Sequence, residues 1–293
     1  MKKVAISGKG GTGKSVLTTL LATALEAEGY NILIVDSDES NPGLYRMLGF
    51  NRSPRELMEF LGGPKKVAAI AKAFSAKAKE EQPEEVRIKE QFHLQDIPGT
   101  YLIGSDGLQL ASVGKITKAF EGCACPMGEA LKIFLDRLVL KEKELVLVDM
   151  EAGVEHFGRG VEKYIDTVLI LVEPSFESIA LSAKINLLAQ GSGVQNIGAV
   201  LNKVTTLEIE RRLEEELAKR NIKKWGTIPP FKETQDYVKK IMQIYNGTGG
   251  TGKTFAPRYT IYVGTGADGT ILLTDNPSNH PDKKLHRKMG QSL

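Results

Sequence analysis

Apolar residues in this chain fall into short unbroken runs, separated by longer stretches in which they recur every three or four positions. The runs at 4–6, 31–36, 144–149, 167–172 and 197–201 have the length and continuity of strands buried on both faces. Between them, 16–28, 175–189 and 207–219 carry helical spacing. A further helix follows Pro126, with Met127, Ala130, Leu131, Phe134, Leu135 and Leu138 along one stripe. Shorter strands are expected at 101–103 and 108–113, joined by a turn through 104–107, and at 225–228, before a last helix at 233–245. The alternation predicts an α/β fold, a doubly wound, mostly parallel sheet flanked by helices.

The pattern weakens twice. Over 53–98, Ser53 and Pro54 start a helix that runs through Glu59, Gly62, Gly63 and Pro64 break it, and 65–79 forms an alanine-rich helix carrying Val67, Ala68, Ile70, Ala71 and Phe74. This stretch is read as a helical excursion. From 246 onward the alternation of strands and helices stops; 259–263 and 270–274 suit a hairpin, and a polar tail follows. The chain therefore divides into a domain over 1–245 and an extension over 246–293 to which the sequence assigns no role.

With 293 residues, 41% of them hydrophobic and 26% charged, the chain is long enough for one large core. Its formal charge of +3 does not call for nucleic acid, and much of the excess sits at Lys283, Lys284, Arg287 and Lys288. Neither a signal peptide nor an apolar run of roughly 18 residues is visible, so the expectation is a cytoplasmic protein without stable membrane association. The two cysteines, Cys123 and Cys125, are one residue apart, too close for ordinary disulfide geometry. Metal or redox chemistry suits them better. They would lie at the N-terminus of the helix after Pro126, where thiolate is favoured.

The strongest chemical signal is Gly8, Lys9, Gly10, Gly11, Thr12, Gly13, Lys14 and Ser15, a match to G-x-x-x-x-G-K-[ST] set between a strand and a helix. Such a loop turns backbone N–H groups toward phosphates, places Lys14 on the outer phosphates and offers the Ser15 hydroxyl to Mg2+. With the first helical turn through Val16 it forms the expected nucleotide cradle. Residues 247–254 match the same pattern, but a polar helix end precedes them and Pro257 follows, so no second site is expected there.

Two strands end in acid. Asp36 and Asp38 are two apart and share a face at a carboxyl end, where open α/β sheets bind ligands; capping of the turn at Asn41 and Pro42 is the alternative role. Asp149 closes the second strand in the Walker B manner and would hold a water bound to Mg2+. His156 reads as a polar residue near a helix start rather than a ligand, since no partner lies nearby in sequence.

Lys9 adds a family resemblance. The loop resembles the deviant, signature-lysine form found in nitrogenase iron protein, septum-site and partition ATPases, the arsenite-pump ATPase and metal-site maturation ATPases. That resemblance implies a homodimer closing over ATP, with Lys9 reaching the facing subunit's nucleotide as a charge supplied in trans. It also implies that Asp38 orients or deprotonates the attacking water, that Asp36 holds a water of the Mg2+ shell, and that Ala152 and Gly153 meet the γ-phosphate. Adenine would be met by the Asn202 amide and by Pro229 and Pro230, although turn formation explains the prolines almost as well.

Cys123 and Cys125, the helix after them, the stretch from Asp149 to His156, Glu173 to Ser175, and Asn202 with Lys203 together resemble the CooC-type accessory ATPases. These mature the nickel site of carbon monoxide dehydrogenase, and the resemblance covers roughly 1–245. It implies Ni2+ or Zn2+ shared between two C-x-C pairs at a dimer interface, ATP/ADP and Mg2+ as cofactors, and a client metalloenzyme. Two other functions remain open at this level: an iron–sulfur carrier ATPase, and a spatial organiser like the septum-site and partition ATPases.

Overall fold

The computed structural model describes residues 2–38, 43–75, 91–105, 107–114, 125–158, 160–228, 260–265, 271–274 and 286–289. An eight-stranded sheet runs in the order β3-β4-β2-β5-β1-β6-β7-β8, built from β1 (Lys3–Gly8), β2 (Asn31–Asp36), β3 (Ile103–Gly104), β4 (Leu108–Ser112), β5 (Glu144–Asp149), β6 (Thr167–Val172), β7 (Asn196–Leu201) and β8 (Lys223–Thr227). Strand β1 is parallel to β5 and β6, β2 is parallel to β4 and β5, and the two-residue β3 is antiparallel to β4. The doubly wound α/β expectation holds.

The central strands owe their unbroken apolar runs to burial on both faces: Ile32, Leu33, Ile34, Val35, Val146, Leu147 and Val148 are all enclosed. Helix α1 (Lys14–Ala27) leads from β1 past β5 to β2, whereas the connection from β5 passes β1 to reach β6. Departures in opposite directions make β1 and β5 the switch point of the sheet, and the crevice outside their carboxyl ends is where such folds bind ligands. Chain contacts divide the protein into two compact units, 1–171 with 180–198, and 172–179 with 199–293.

In the first unit, α2 (Leu44–Met47), α3 (Leu57–Phe60), α4 (Pro64–Ser75) and α5 (Cys125–Arg137) follow in order. Helix α5 buries Ala130, Leu131, Ile133, Phe134 and Leu135, as its spacing predicts. The excursion over 53–98 is corrected in two places. Pro54 does not open a helix, because Glu56 pairs with Ser112 as an extension of the sheet and α3 starts only at Leu57. Residues 91–98 return to the core: Phe92 exchanges backbone hydrogen bonds with Arg137 and Val139 and lies against Phe60 and Phe134, each ring centroid 5.5 Å away. Val67 and Ile70 of α4 are buried while Ala68 is exposed, and 76–79 lies outside the described residues.

Helix α6 (Glu155–Gly158) follows β5, and α7 (Phe176–Gly191) and α8 (Leu207–Ala218) follow β6 and β7. Thr206 caps α8 by accepting from the Ile209 N–H at 3.2 Å. The expected hairpin forms from β9 (Thr260–Thr265) and β10 (Ile271–Thr274), antiparallel to each other. The polar tail is corrected: β11 (His286–Met289) pairs antiparallel with the other side of β9, so Arg287 and Lys288 belong to a three-stranded sheet. The helix expected at 233–245 lies outside the described residues. Among the described residues no helix is long and apolar enough to cross a membrane.

Candidate functional site

Strand β1 delivers the phosphate loop to the switch point. A Cβ on Gly8, whose φ is 148°, would meet the Leu171 carbonyl oxygen at 2.5 Å, so only glycine lets β1 and β6 close at this height. Gly13, at φ 98°, turns the chain left-handed into α1. Between them the Lys9 carbonyl is the pivot. It accepts from the Thr12 N–H at 3.3 Å, from Thr12 Oγ1 at 2.8 Å and from Lys14 Nζ at 3.3 Å. The Leu17 N–H donates to the Gly13 carbonyl at 2.9 Å, the bond that opens α1, and the N–H groups of a helix's first turn have no partner within the helix. This is an anion cradle of backbone dipoles with one buried ammonium group.

The carboxylates arrive by sheet register. Asp36 of β2 pairs laterally with Asp149 of β5, and the two are 4% and 1% exposed. Ser15 Oγ donates to Asp149 Oδ2 at 2.6 Å, and Thr18 Oγ1 lies 3.4 Å from Asp149 Oδ1 while donating to the Lys14 carbonyl at 2.9 Å. The Ser37 N–H and hydroxyl both donate to the Asp149 carbonyl, which fixes β2 against β5 at their ends.

Burial, assisted by Asp36 and Asp38 and opposed by the Ser15 hydrogen bond and Lys14, pushes the Asp149 carboxyl up to about 6. Burial likewise lowers the Lys14 ammonium, against the pull of Asp149, Asp38 and Glu151. Perturbed opposite charges packed at a switch point mark a functional site. A hydroxyl and two carboxylates form an all-oxygen donor set suited to a hard cation such as Mg2+.

The remaining predicted residues fall as follows. The Asp38 N–H donates to Asp36 Oδ1 at 3.2 Å, and Asp38's charge reaches Lys14; 39–42 lies outside the described residues. Gly153 N–H reaches the Gly8 carbonyl at 3.4 Å, and a Cβ on Gly10 would lie 3.6 Å from Ala152 Cβ, so these residues border the loop. His156 is 3% exposed, with Nε2 3.5 Å from Glu151 Oε2. Val16 is exposed on the first turn of α1. Among the described residues no three His, Cys, Asp or Glu side chains gather as a metal-ligand set.

Cys125 is the first residue of α5, whereas Cys123, Pro229 and Pro230 lie outside the described residues, as does the second loop-like match at 247–254. In the second unit the Asn202 N–H donates to Val172 at 2.8 Å and its Oδ1 accepts from the Lys203 N–H at 2.9 Å. Lys203 has φ 59° and its Nζ lies 2.7 Å from Glu173 Oε2. Thr18, Ser37 and Ser112 are the polar groups that sequence reasoning passed over. Only Thr18 had a local signal, one helical turn after Lys14.

Comparison with known proteins finds a family and relatives for the chain. Residues 3–244 match the family described as the CobQ/CobB/MinD/ParA nucleotide binding domain. An uncharacterized ATP-binding protein of Methanocaldococcus jannaschii is 43% identical over 204 residues, 69% of this chain and 78% of that protein. The carbon monoxide dehydrogenase accessory protein CooC of Rhodospirillum rubrum is 33% identical over 204 residues, 70% of this chain and 75% of its own. In fold, the septum site-determining protein MinD of Pyrococcus horikoshii, solved with Mg-ADP, superposes with a TM-score of 0.54 at 18% identity, covering 80% of this chain and 84% of that one.

Proposed function

We propose that this chain, which belongs to the CobQ/CobB/MinD/ParA family of nucleotide-binding P-loop ATPases, is a maturation ATPase that couples ATP binding and hydrolysis to metal delivery. The metal, nickel in this reading, is cargo held by Cys123 and Cys125 of two copies and inserted into a client metalloenzyme such as carbon monoxide dehydrogenase. The observation that carries the reading is the pairing of a CooC relative at 33% identity with a C-x-C motif made of the chain's only two cysteines. Two thiolates are half a tetrahedral set, so a two-fold dimer completes it. Cys125 opens α5, and thiolates in general bind borderline metals.

At the nucleotide site catalysis is positional and electrostatic. The N–H groups of the loop and Lys14 hold the phosphates, and Lys9 reaches the nucleotide of the facing copy. Ser15 would hold Mg2+, with Asp149 and Asp36 each on a water of its shell. A divalent cation held there would supply positive charge against the negative charge that develops on the phosphates. For this Ser15 would turn its hydroxyl away from Asp149 Oδ2, and Asp149 would serve as the ionised carboxylate, its form above a pH of about 6. Asp38 follows Asp36 by two residues and orients the attacking water.

The test is metal content and oligomeric mass of anaerobically purified protein, with and without ATP and Mg2+, beside Cys123→Ser/Cys125→Ser. The expected result is about half a metal ion per chain, found in the dimer and lost in the variant. A brown protein with thiol-dependent iron and sulfide turns the reading to an iron–sulfur carrier. An ATP-linked dimer with no thiol-dependent metal overturns delivery in favour of a nucleotide-switched organiser.

A further inference from the structure

Strand β4 ends on Ser112, and sheet register decides what that serine faces. Ser112 pairs laterally with Asp36, which pairs with Asp149. Lateral partners on parallel strands project to the same face, with strands about 4.8 Å apart. Because Asp149 is bonded to Ser15 of α1, that face is the α1 face. Three polar side chains therefore form one row across the carboxyl edge, 2%, 4% and 1% exposed for Ser112, Asp36 and Asp149.

Two members of the row are engaged: Asp149 accepts from Ser15, and Asp36 accepts from the Asp38 N–H. The Ser112 hydroxyl has no hydrogen-bond partner among the described residues. A buried hydroxyl left in that condition costs about 1–3 kcal/mol. Nor can the strand end move aside, since Ser112 is bridged to Glu56 and the next N–H, that of Val113, donates to the Asp36 carbonyl at 3.0 Å. Ala111 and Val113, its neighbours, are ordinary buried apolar residues. The hydroxyl belongs to a state in which it has work.

We propose that Ser112 is a positioning residue for Asp36, its hydroxyl donating to the Asp36 carboxylate when Mg2+ and nucleotide are bound. This rests on the Mg2+–ATP reading of the site. The Asp38 N–H and the Ser112 hydroxyl serve the same carboxylate from opposite sides: from its own loop, and from the neighbouring strand. When Asp38 turns to the attacking water, its hold on Asp36 Oδ1 is released and Ser112 replaces it. Asp36 then stays aimed at the water shell of the cation.

The test uses the full chain and a fluorescent, non-hydrolysable ATP analogue, titrated with and without Mg2+, for wild type and Ser112→Ala, together with thermal unfolding without nucleotide. The variant keeps or slightly raises the nucleotide-free melting temperature, because it removes an unsatisfied group, and keeps the Mg2+-free affinity. The tightening that Mg2+ confers falls about 3- to 10-fold, the worth of one hydrogen bond to a charged group. Equal tightening in both proteins overturns the role. Equal loss with and without Mg2+, or a lowered melting temperature, shows a packing role and overturns it as well. If the wild type itself shows no response to Mg2+, the ATPase reading fails rather than Ser112 alone.

Discussion

The two ends of the parallel strands in the first unit handle charge in opposite ways. At the amino edge, Asp166 accepts from the N–H groups of Lys2 and Lys3 at 2.8 and 2.9 Å, Lys2 Nζ donates to the carbonyls of Leu140 and Lys141, and Lys3 Nζ donates to Leu135 in the last turn of α5. A groove of about 530 Å3 opens there, lined by Lys2, Lys3, Asp136, Lys163, Tyr164 and Asp166. Its lysines at positions 2 and 3 are engaged with the chain's own backbone. At the carboxyl edge, Asp149 is pushed up, Lys14 is pushed down and a serine hydroxyl is unmet. Burial lowers the Lys3 ammonium at the amino edge as well, so what sets the carboxyl edge apart is a raised carboxyl packed against a lowered ammonium. The proposed chemistry lies at the carboxyl edge, where these two opposite charges meet, rather than at the edge with the open groove.

The harshest challenge to this contrast is to remove one lysine from each edge. Lys14→Ala should lower ATP hydrolysis by at least about 100-fold, since a group that meets developing charge in a dry site is lost. Nucleotide-free stability should change by no more than about 1 kcal/mol, because the ammonium is held there against its desolvation. Lys2→Ala should leave hydrolysis as it is. Steady-state phosphate release for both variants decides the matter, and a comparable loss in the two would erase the distinction between the edges.

Asp149 sharpens it through pH. Its folded-state pKa of about 6 lies above the ordinary aspartate value of 3.8, so between those values the folded chain keeps a proton that the unfolded chain has released. Stability of the nucleotide-free protein therefore falls as pH rises through that window and levels off above it. Asp149→Asn should remove that slope and raise stability near pH 8 by about 1–3 kcal/mol, read from urea unfolding at several pH values. The same variant should lose Mg2+-dependent tightening of nucleotide. In the wild type that tightening should grow as pH rises through about 6, since the cation requires the ionised carboxylate.

Much of this edge was legible in the sequence because its signals are local. A glycine loop between an apolar run and a helix, an acid at the end of a run, and two acids two apart each need only a few contiguous residues. What escaped was set by strand order. Ser112 sits in sequence far from both Asp36 and Asp149, and only the arrangement β4-β2-β5 puts the three in one row. Phe92 was taken into a helical excursion for the same reason, since its partners Phe60, Phe134 and Arg137 come from two other segments, α3 and α5. Strand β11 has polar side chains and no alternation, and its pairing with β9 rests on backbone bonds that composition does not announce.

At the amino edge itself the effects should be small and confined to stability. Asp166→Ala leaves the N–H groups of Lys2 and Lys3 to water and should cost about 1 kcal/mol, read as a lower urea midpoint with unchanged nucleotide affinity.

Lys3→Met is the finest probe. Methionine keeps an unbranched stem along the groove but cannot donate to the Leu135 carbonyl, so α5 loses a cationic cap on its last turn. Burial already lowers the Lys3 ammonium, and Asp166 and Asp136 restore only part of that, so the gain from the charge is modest. The expected loss is about 0.3–1 kcal/mol. It should appear in the urea midpoint without a change in slope, and the Mg2+–nucleotide affinity should stay at its wild-type value. Lys3 and Gly8 are the two ends of the same strand, so a fall in that affinity would mean that β1 transmits strain from one edge to the other.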